Sequence, residues 1–140
     1  MKQSELKGKL VVAVRIRGRV NVRGDITETL NRLNLKRVSN CALIKVNDSY
    51  LGMLKKGSNH IAYGEVDEDT LKKLVAKFAL NVDPVGLLNG KVDVNDLKER
   101  MPLRLHPPKH GYKNTRLSFN QGGSLGYMGS AINGLISRMV

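Results

Sequence analysis

Apolar positions in the first half of the chain fall into short alternating and helical runs. In GKLVVAVRIRGR, Leu10, Val12, Val14 and Ile16 share one side of an extended chain, and Val11, Ala13, Arg15 and Arg17 share the other. This predicts a strand with one wholly apolar face and a second face that turns basic towards its C-terminal end. GRVNVRG follows as a glycine-bounded basic loop. In DITETLNRLNL, Ile26, Thr29, Leu30 and Leu33 recur at helical spacing. Asp25 is placed to cap that helix, with Glu28 three residues on, as in a capping box. CALIKV predicts a second strand. DSYLGMLKKG predicts a short helix with Asp48 or Ser49 as its N-cap and Gly57 as its stop. HIAYGEV predicts a third strand. The order strand, helix, strand, helix, strand defines an α+β core, with a small mixed sheet covered by helices on one face. A right-handed first crossover would make strands one and two parallel.

The second half reads differently. DEDTLKKLVAKFAL has an acidic first turn and a stripe of Leu71, Leu74, Val75 and Phe78, which predicts a helix packed on the core. NVDPVGLLNGK is turn-rich, and VDVNDLKERM predicts a short helix ending before Pro102. LRLHPPKHGYKNTR fits neither helical nor strand periodicity; Pro107 and Pro108 hold its middle extended. Glycines crowd the following SFNQGGSLGYMG. SAINGLISRMV places Ile132, Leu135, Ile136 and Met139 on one helical face, so a closing helix should dock on the body. The chain thus divides into a core over residues 1–66 and an extension over 67–140. The extension comprises an acidic helical segment, a basic Pro/Gly-rich loop (101–129) tethered at both ends, and the closing helix.

Charge sharpens this picture. The 140 residues carry 24 Lys and Arg against 12 Asp and Glu, a net charge of +12. The acids are concentrated between Glu65 and Glu99, and none follows Glu99. A surface kept basic only for solubility mixes both signs; segregation points to a polyanionic partner. No apolar run has the length of a membrane span, and the N-terminus lacks a signal-peptide pattern. An intracellular protein with no membrane partner is expected.

Candidate chemistry is thin. Cys41, the single cysteine, falls in a predicted strand and reads as an inert core thiol. His106 and His110 are separated by prolines that forbid the helix needed to join them as metal ligands. Acids at helix starts are accounted for by capping. GRVNVRG is similar to the phosphate-cradling loop of acylphosphatases, which share a small ferredoxin-like sheet. It lacks that motif's Gln-Gly-Val-Gly-Phe core, and its second arginine is displaced. Nucleic-acid binding joins more of the features. Arginines on a glycine-punctuated loop reach phosphates, Tyr112 can stack on an unpaired base, and the prolines stiffen the loop that carries it. Few aromatics stand on the predicted strands, so folded RNA is a better target than a short single-stranded word.

The segments VVAVRIRG, DITETLNRLNL and CALIKVNDSYLGMLKKGSNHIAYGEV resemble the universal large-subunit ribosomal protein family called L-thirty in bacteria and L-seven in eukaryotes. LRLHPPKHGY and QGGSLGYMGSAINGLISRM resemble the C-terminal part of its archaeal and eukaryotic forms. The resemblance runs from about Gly8 to Met139. A lysine-rich N-terminal extension of the eukaryotic type is absent, which makes the chain look archaeal. The resemblance implies a ferredoxin-like βαβαβ core. It implies a non-catalytic structural role on large-subunit rRNA in the cytoplasmic ribosome, near the 5S rRNA and among neighbouring ribosomal proteins. It implies no cofactor, metal or small-molecule substrate. Residues expected to meet rRNA are Arg15, Arg17, Arg19 and Arg23 around the first loop. Arg32, Lys36 and Arg37 lie at the end of the first helix. Arg104, His106, Lys109, His110, Tyr112, Lys113 and Arg116 lie in the Pro-rich loop. The acidic segment should face away from rRNA or meet a basic protein neighbour. An RNA-binding module acting off the ribosome is the alternative that composition alone leaves open.

Overall fold

The computed structural model describes residues 10–18, 23–33, 35–78, 103–105 and 121–139. The elements are β1 (Leu10–Arg15), α1 (Gly24–Arg32), β2 (Asn40–Lys45), α2 (Asp48–Lys56), β3 (Ile61–Glu65), α3 (Glu68–Phe78), β4 (Leu103–Arg104), β5 (Gly126–Tyr127) and α4 (Ile132–Met139). The strands form one mixed sheet in the order β4-β2-β1-β3-β5. This is the expected βαβαβ arrangement with a helical C-terminal extension. The helix predicted over VDVNDLKERM lies outside the described residues.

The predicted parallel pairing of the first two strands is overturned. β1 runs antiparallel to both β2 and β3, with Ala13 opposite Ala42 on one side and Tyr63 on the other. A nine-residue α1 rises only about 14 Å. The chain after it returns to the end of the sheet that it left, where the Ser39 N–H donates to the Arg15 carbonyl (2.9 Å). β2 must therefore run back along β1. The parallel crossover is instead β2–α2–β3, with β1 inserted between its two strands.

Alternation in β1 sorts two hydrophobic layers. Leu10, Val12, Val14 and Ile16 join Cys41, Leu43 and Ala62 beneath α3 and α4. Val11 and Ala13 join Ile44, Ile61 and Tyr63 beneath α1 and α2. The two core helices do share one face, and the extension's helices cover the other. The α3 stripe behaves as read: Leu71 and Leu74 are buried, with Val75 and Phe78 packed against them. All four apolar residues of the closing helix are buried. The Asn133 side chain fastens that helix, donating to the Glu65 carbonyl (3.0 Å) and accepting from the Asp67 N–H (3.0 Å).

Helix starts differ from expectation by a residue or two. The N-cap of α1 is Arg23, so Asp25 sits within the first turn and accepts the Ile26 N–H (2.9 Å). No capping box forms; Glu28 pairs with Arg32 instead (2.7 Å). α2 is capped by Asn47, whose side chain accepts from the Tyr50 N–H (2.9 Å). Gly57 closes α2 at φ −90°, so its value is steric: a Cβ there would lie 3.0 Å from Leu30 Cδ2 of α1.

Candidate nucleic-acid interface

The topology gathers several described cations at one end of the sheet and the acids of the β3–α3 junction at the other, where Lys45 also lies. β1 ends where β2 and β3 begin, so residues 16–18, 36–40 and 57–61 share one end. β4 adds to the outer edge of β2, with Arg104 opposite Asn40, and the Leu105 N–H donates to the Ser39 carbonyl (3.1 Å). The chain therefore leaves β4 at this same end. β5 is parallel to β3, with Gly126 opposite Ala62, so the chain also re-enters the sheet there. Both flanks of the 106–120 stretch are thus anchored at one end, on opposite edges. The pairing of β4 with β2 could be foreseen from neither periodicity nor propensity: Leu103 and Arg104 open the stretch that fits no periodic pattern, yet both pair with β2.

Arg17, Lys36, Arg37 and Arg104 are exposed at this end. Arg17 donates to the Asn59 carbonyl (3.3 Å), which leaves its charge unneutralised. No acid pairs with Lys36, Arg37 or Arg104 among the described residues. Lys55 and Lys56, whose charges suit the C-terminal end of the α2 dipole, end that helix on the same side. Arg23 and Lys56 both meet Asp25, at 3.2 and 3.6 Å, and Arg32 meets Glu28. These are exposed pairs of small net value, which a phosphate can replace. Arg19, His106, Lys109, His110, Tyr112, Lys113 and Arg116 lie outside the described residues.

Arg15 departs from the expected set. It is fully buried, on the face of β1 that the alternation marks as turning basic. Its guanidinium donates to the carbonyls of Arg17 (2.9 Å), Leu35 (2.9 Å), Lys36 (3.2 Å) and Gly18 (3.3 Å). A buried cation needs its donors satisfied, and these carbonyls meet that need. Arg15 is corrected from a surface contact to an internal tie. Beside it, half-buried His60 is held below the usual imidazole range by desolvation and by the positive charges of Arg17 and Arg15.

The opposite end of the sheet carries Glu65, Asp67, Glu68 and Asp69, where β3 ends and α3 begins. Asp67 accepts the Thr70 N–H (2.8 Å) and so caps α3. This described part of the acidic segment faces away from the basic end. Cys41 is buried, which pushes its thiol far up and keeps it protonated. Among the described residues no group of three His, Cys, Asp or Glu side chains converges to hold a metal. No helix among them is long and apolar enough to cross a membrane.

Fold and charge together define an α+β protein with one mixed sheet, basic at one end and acidic at the other. The chain belongs to the ribosomal protein L30p/L7e family, whose pattern matches residues 11–61. It is 37% identical over 152 residues to the large ribosomal subunit protein uL30 of Methanocorpusculum labreanum, covering 93% of this chain and 99% of that one. It is 37% identical over 149 residues to the uL30 of Methanococcus vannielii, with 91% and 97% covered. The uL30 of Methanobrevibacter smithii is 35% identical over 152 residues, with 94% and 100% covered. The matched family region ends at the start of β3, whereas the similarity to these archaeal relatives covers more than nine-tenths of the chain.

Proposed function

We propose that this protein is a non-catalytic constituent of the large ribosomal subunit, and that the basic end of its sheet binds folded large-subunit rRNA. One observation carries the reading: the topology gathers Arg17, Lys36, Arg37, Arg104 and both anchors of the 106–120 stretch at one end, opposite the acids of the β3–α3 junction. Cations with no acid partner lose little when they exchange solvent for phosphate, and release of counterions drives the contact. Arg23 and Arg32 join the interface by trading their carboxylate partners for phosphates. Arg19, His106, Lys109, His110, Tyr112, Lys113 and Arg116 complete it from the two basic loops. The acidic end is left to solvent or to a basic ribosomal neighbour. The protein works in the cytoplasm, bound to the ribosome. Proximity to the 5S rRNA is part of the proposal and rests on the family resemblance.

Binding of deproteinised archaeal large-subunit rRNA across a salt series tests this. Lys36→Ala, Arg37→Ala and Arg104→Ala should each weaken binding and reduce the salt slope by about one. Lys109→Ala and Arg116→Ala should do the same. Slopes that match the unaltered protein in all five variants would place the RNA elsewhere.

A further inference from the structure

Arg15 is the one large charged side chain fully buried among the described residues, and its position is unusual. It lies at the end of the central strand, between two separate segments of the basic end. One segment, residues 16–18, carries Arg17; the other, residues 35–39, carries Lys36 and Arg37. The guanidinium donates to two carbonyls in each: Arg17 and Gly18 in the first, Leu35 and Lys36 in the second. The Arg15 backbone carbonyl also accepts the Ser39 N–H (2.9 Å). Ser39 is the only described non-glycine residue with positive φ, at 67°. That conformation costs free energy for a residue with a Cβ, so contacts around it must hold it. The turn it closes, in which the Asn40 N–H donates to the Arg37 carbonyl (3.2 Å), presents Val38 to solvent. Val38, 44% exposed, is the sole exposed large hydrophobic among the described residues.

From this geometry we propose that Arg15 is a positioning residue for the RNA interface. Its guanidinium fixes segments 16–18 and 35–39 in one arrangement before RNA arrives, so that Arg17, Lys36, Arg37 and Val38 meet the RNA as a preset surface. The inference rests on the RNA-binding reading above. A planar guanidinium has five donors in a fixed fork and can serve two carbonyls on each side. A lysine ammonium has three donors and no fork, so it keeps the charge but releases part of the tie. Preset surfaces bind more tightly because less ordering is left to complete on contact.

The test compares Arg15→Lys, Arg15→Met and the unaltered protein by amide hydrogen exchange and by binding of deproteinised archaeal large-subunit rRNA across a salt series. Leu135→Ala, in the hydrophobic layer on the other side of the sheet, serves as a control for general destabilisation. Both Arg15 variants should exchange faster at residues 16–18 and 35–39. Each should bind RNA at least about tenfold more weakly, with the salt slope reduced by about two or more as neighbouring cations lose register. Leu135→Ala should leave the slope unchanged. Should Arg15→Met fail to fold, Arg15→Lys decides alone. Unchanged exchange in these segments overturns the proposal. So does faster exchange with unchanged affinity and slope, because the surface would then not need presetting. If the unaltered protein does not bind this RNA, the RNA-binding reading itself fails, and the exchange data still report whether Arg15 ties the two segments.

Discussion

Arg15 and His60 illustrate how much one residue's meaning depends on what covers it. Alternation correctly assigned Arg15 to the side of β1 opposite Val14, but period-two patterning says nothing about which later segment returns over that side. The segment after α1 does so, supplying the Leu35 and Lys36 carbonyls. A buried arginine and a surface arginine are identical in the sequence, and only the return path separates them. His60 pays the electrostatic consequence: burial and two neighbouring guanidinium groups disfavour its protonated form. Its Nδ1 is buried with no hydrogen-bond partner. Its folded pKa lies below the ordinary value of 6.5, so the unfolded chain binds the proton more readily. Stability from this group is therefore complete above about pH 6.5 and is lost as the pH falls through that value towards the folded pKa. Urea unfolding from pH 8 to pH 5 should show this loss, and His60→Gln should flatten it. Superimposable pH profiles for the two proteins would contradict the assignment.

At the scale of elements, helices were the most legible part because their signal is local. The stripes of α1, α3 and α4 identify the covered face: Thr29, Leu30, Leu71, Leu74, Leu135 and Ile136 are buried, and Ile26, Val75 and Phe78 are partly buried at its margins. Caps were less legible. Asn47, Asp48 and Ser49 are all competent N-caps in sequence, and the choice of Asn47 depends on where β2 releases the chain. Strand interiors hold a different constraint at Gly64 in β3. A Cβ there would collide with the Gly129 carbonyl and lie 2.8 Å from Ile132 Cγ2. The 3-10 turn Gly129–Ala131 and the start of α4 can pack on β3 only because that position is bare. Gly64→Ala should cost about 1–3 kcal/mol by overpacking, since a backbone carbonyl cannot rotate aside as a side chain can. Chemical denaturation measures this directly, and an unchanged midpoint would mean that α4 is not seated as described. Gly52→Ala is the matched comparison: its added Cβ meets nothing within 4 Å, and alanine favours the α2 helix.

For the whole molecule, the decisive features are pairings between residues far apart in sequence. β4 and β5 are two residues each, too short for any periodicity to reveal. Yet they fix both anchors of the Pro-rich stretch at the end where Arg17, Lys36 and Arg37 emerge. The charge segregation along the chain was visible from composition; that it becomes a separation between two ends of one sheet follows from strand order. Exposed like charges on one end repel each other and oppose folding slightly, a cost that a polyanion removes. The central claim is that this end, and not the acidic one, holds the protein on the large subunit. The most direct test is sedimentation of tagged protein from an archaeal host through a sucrose gradient after a high-salt wash. The unaltered protein should remain in the large-subunit peak in near-stoichiometric amount. So should a Glu68→Gln/Asp69→Asn variant, whereas a Lys36→Glu/Arg37→Glu/Arg104→Glu variant with a normal unfolding profile should run free. An unaltered protein that sediments free, or a basic-end variant that stays in the peak, would contradict the account.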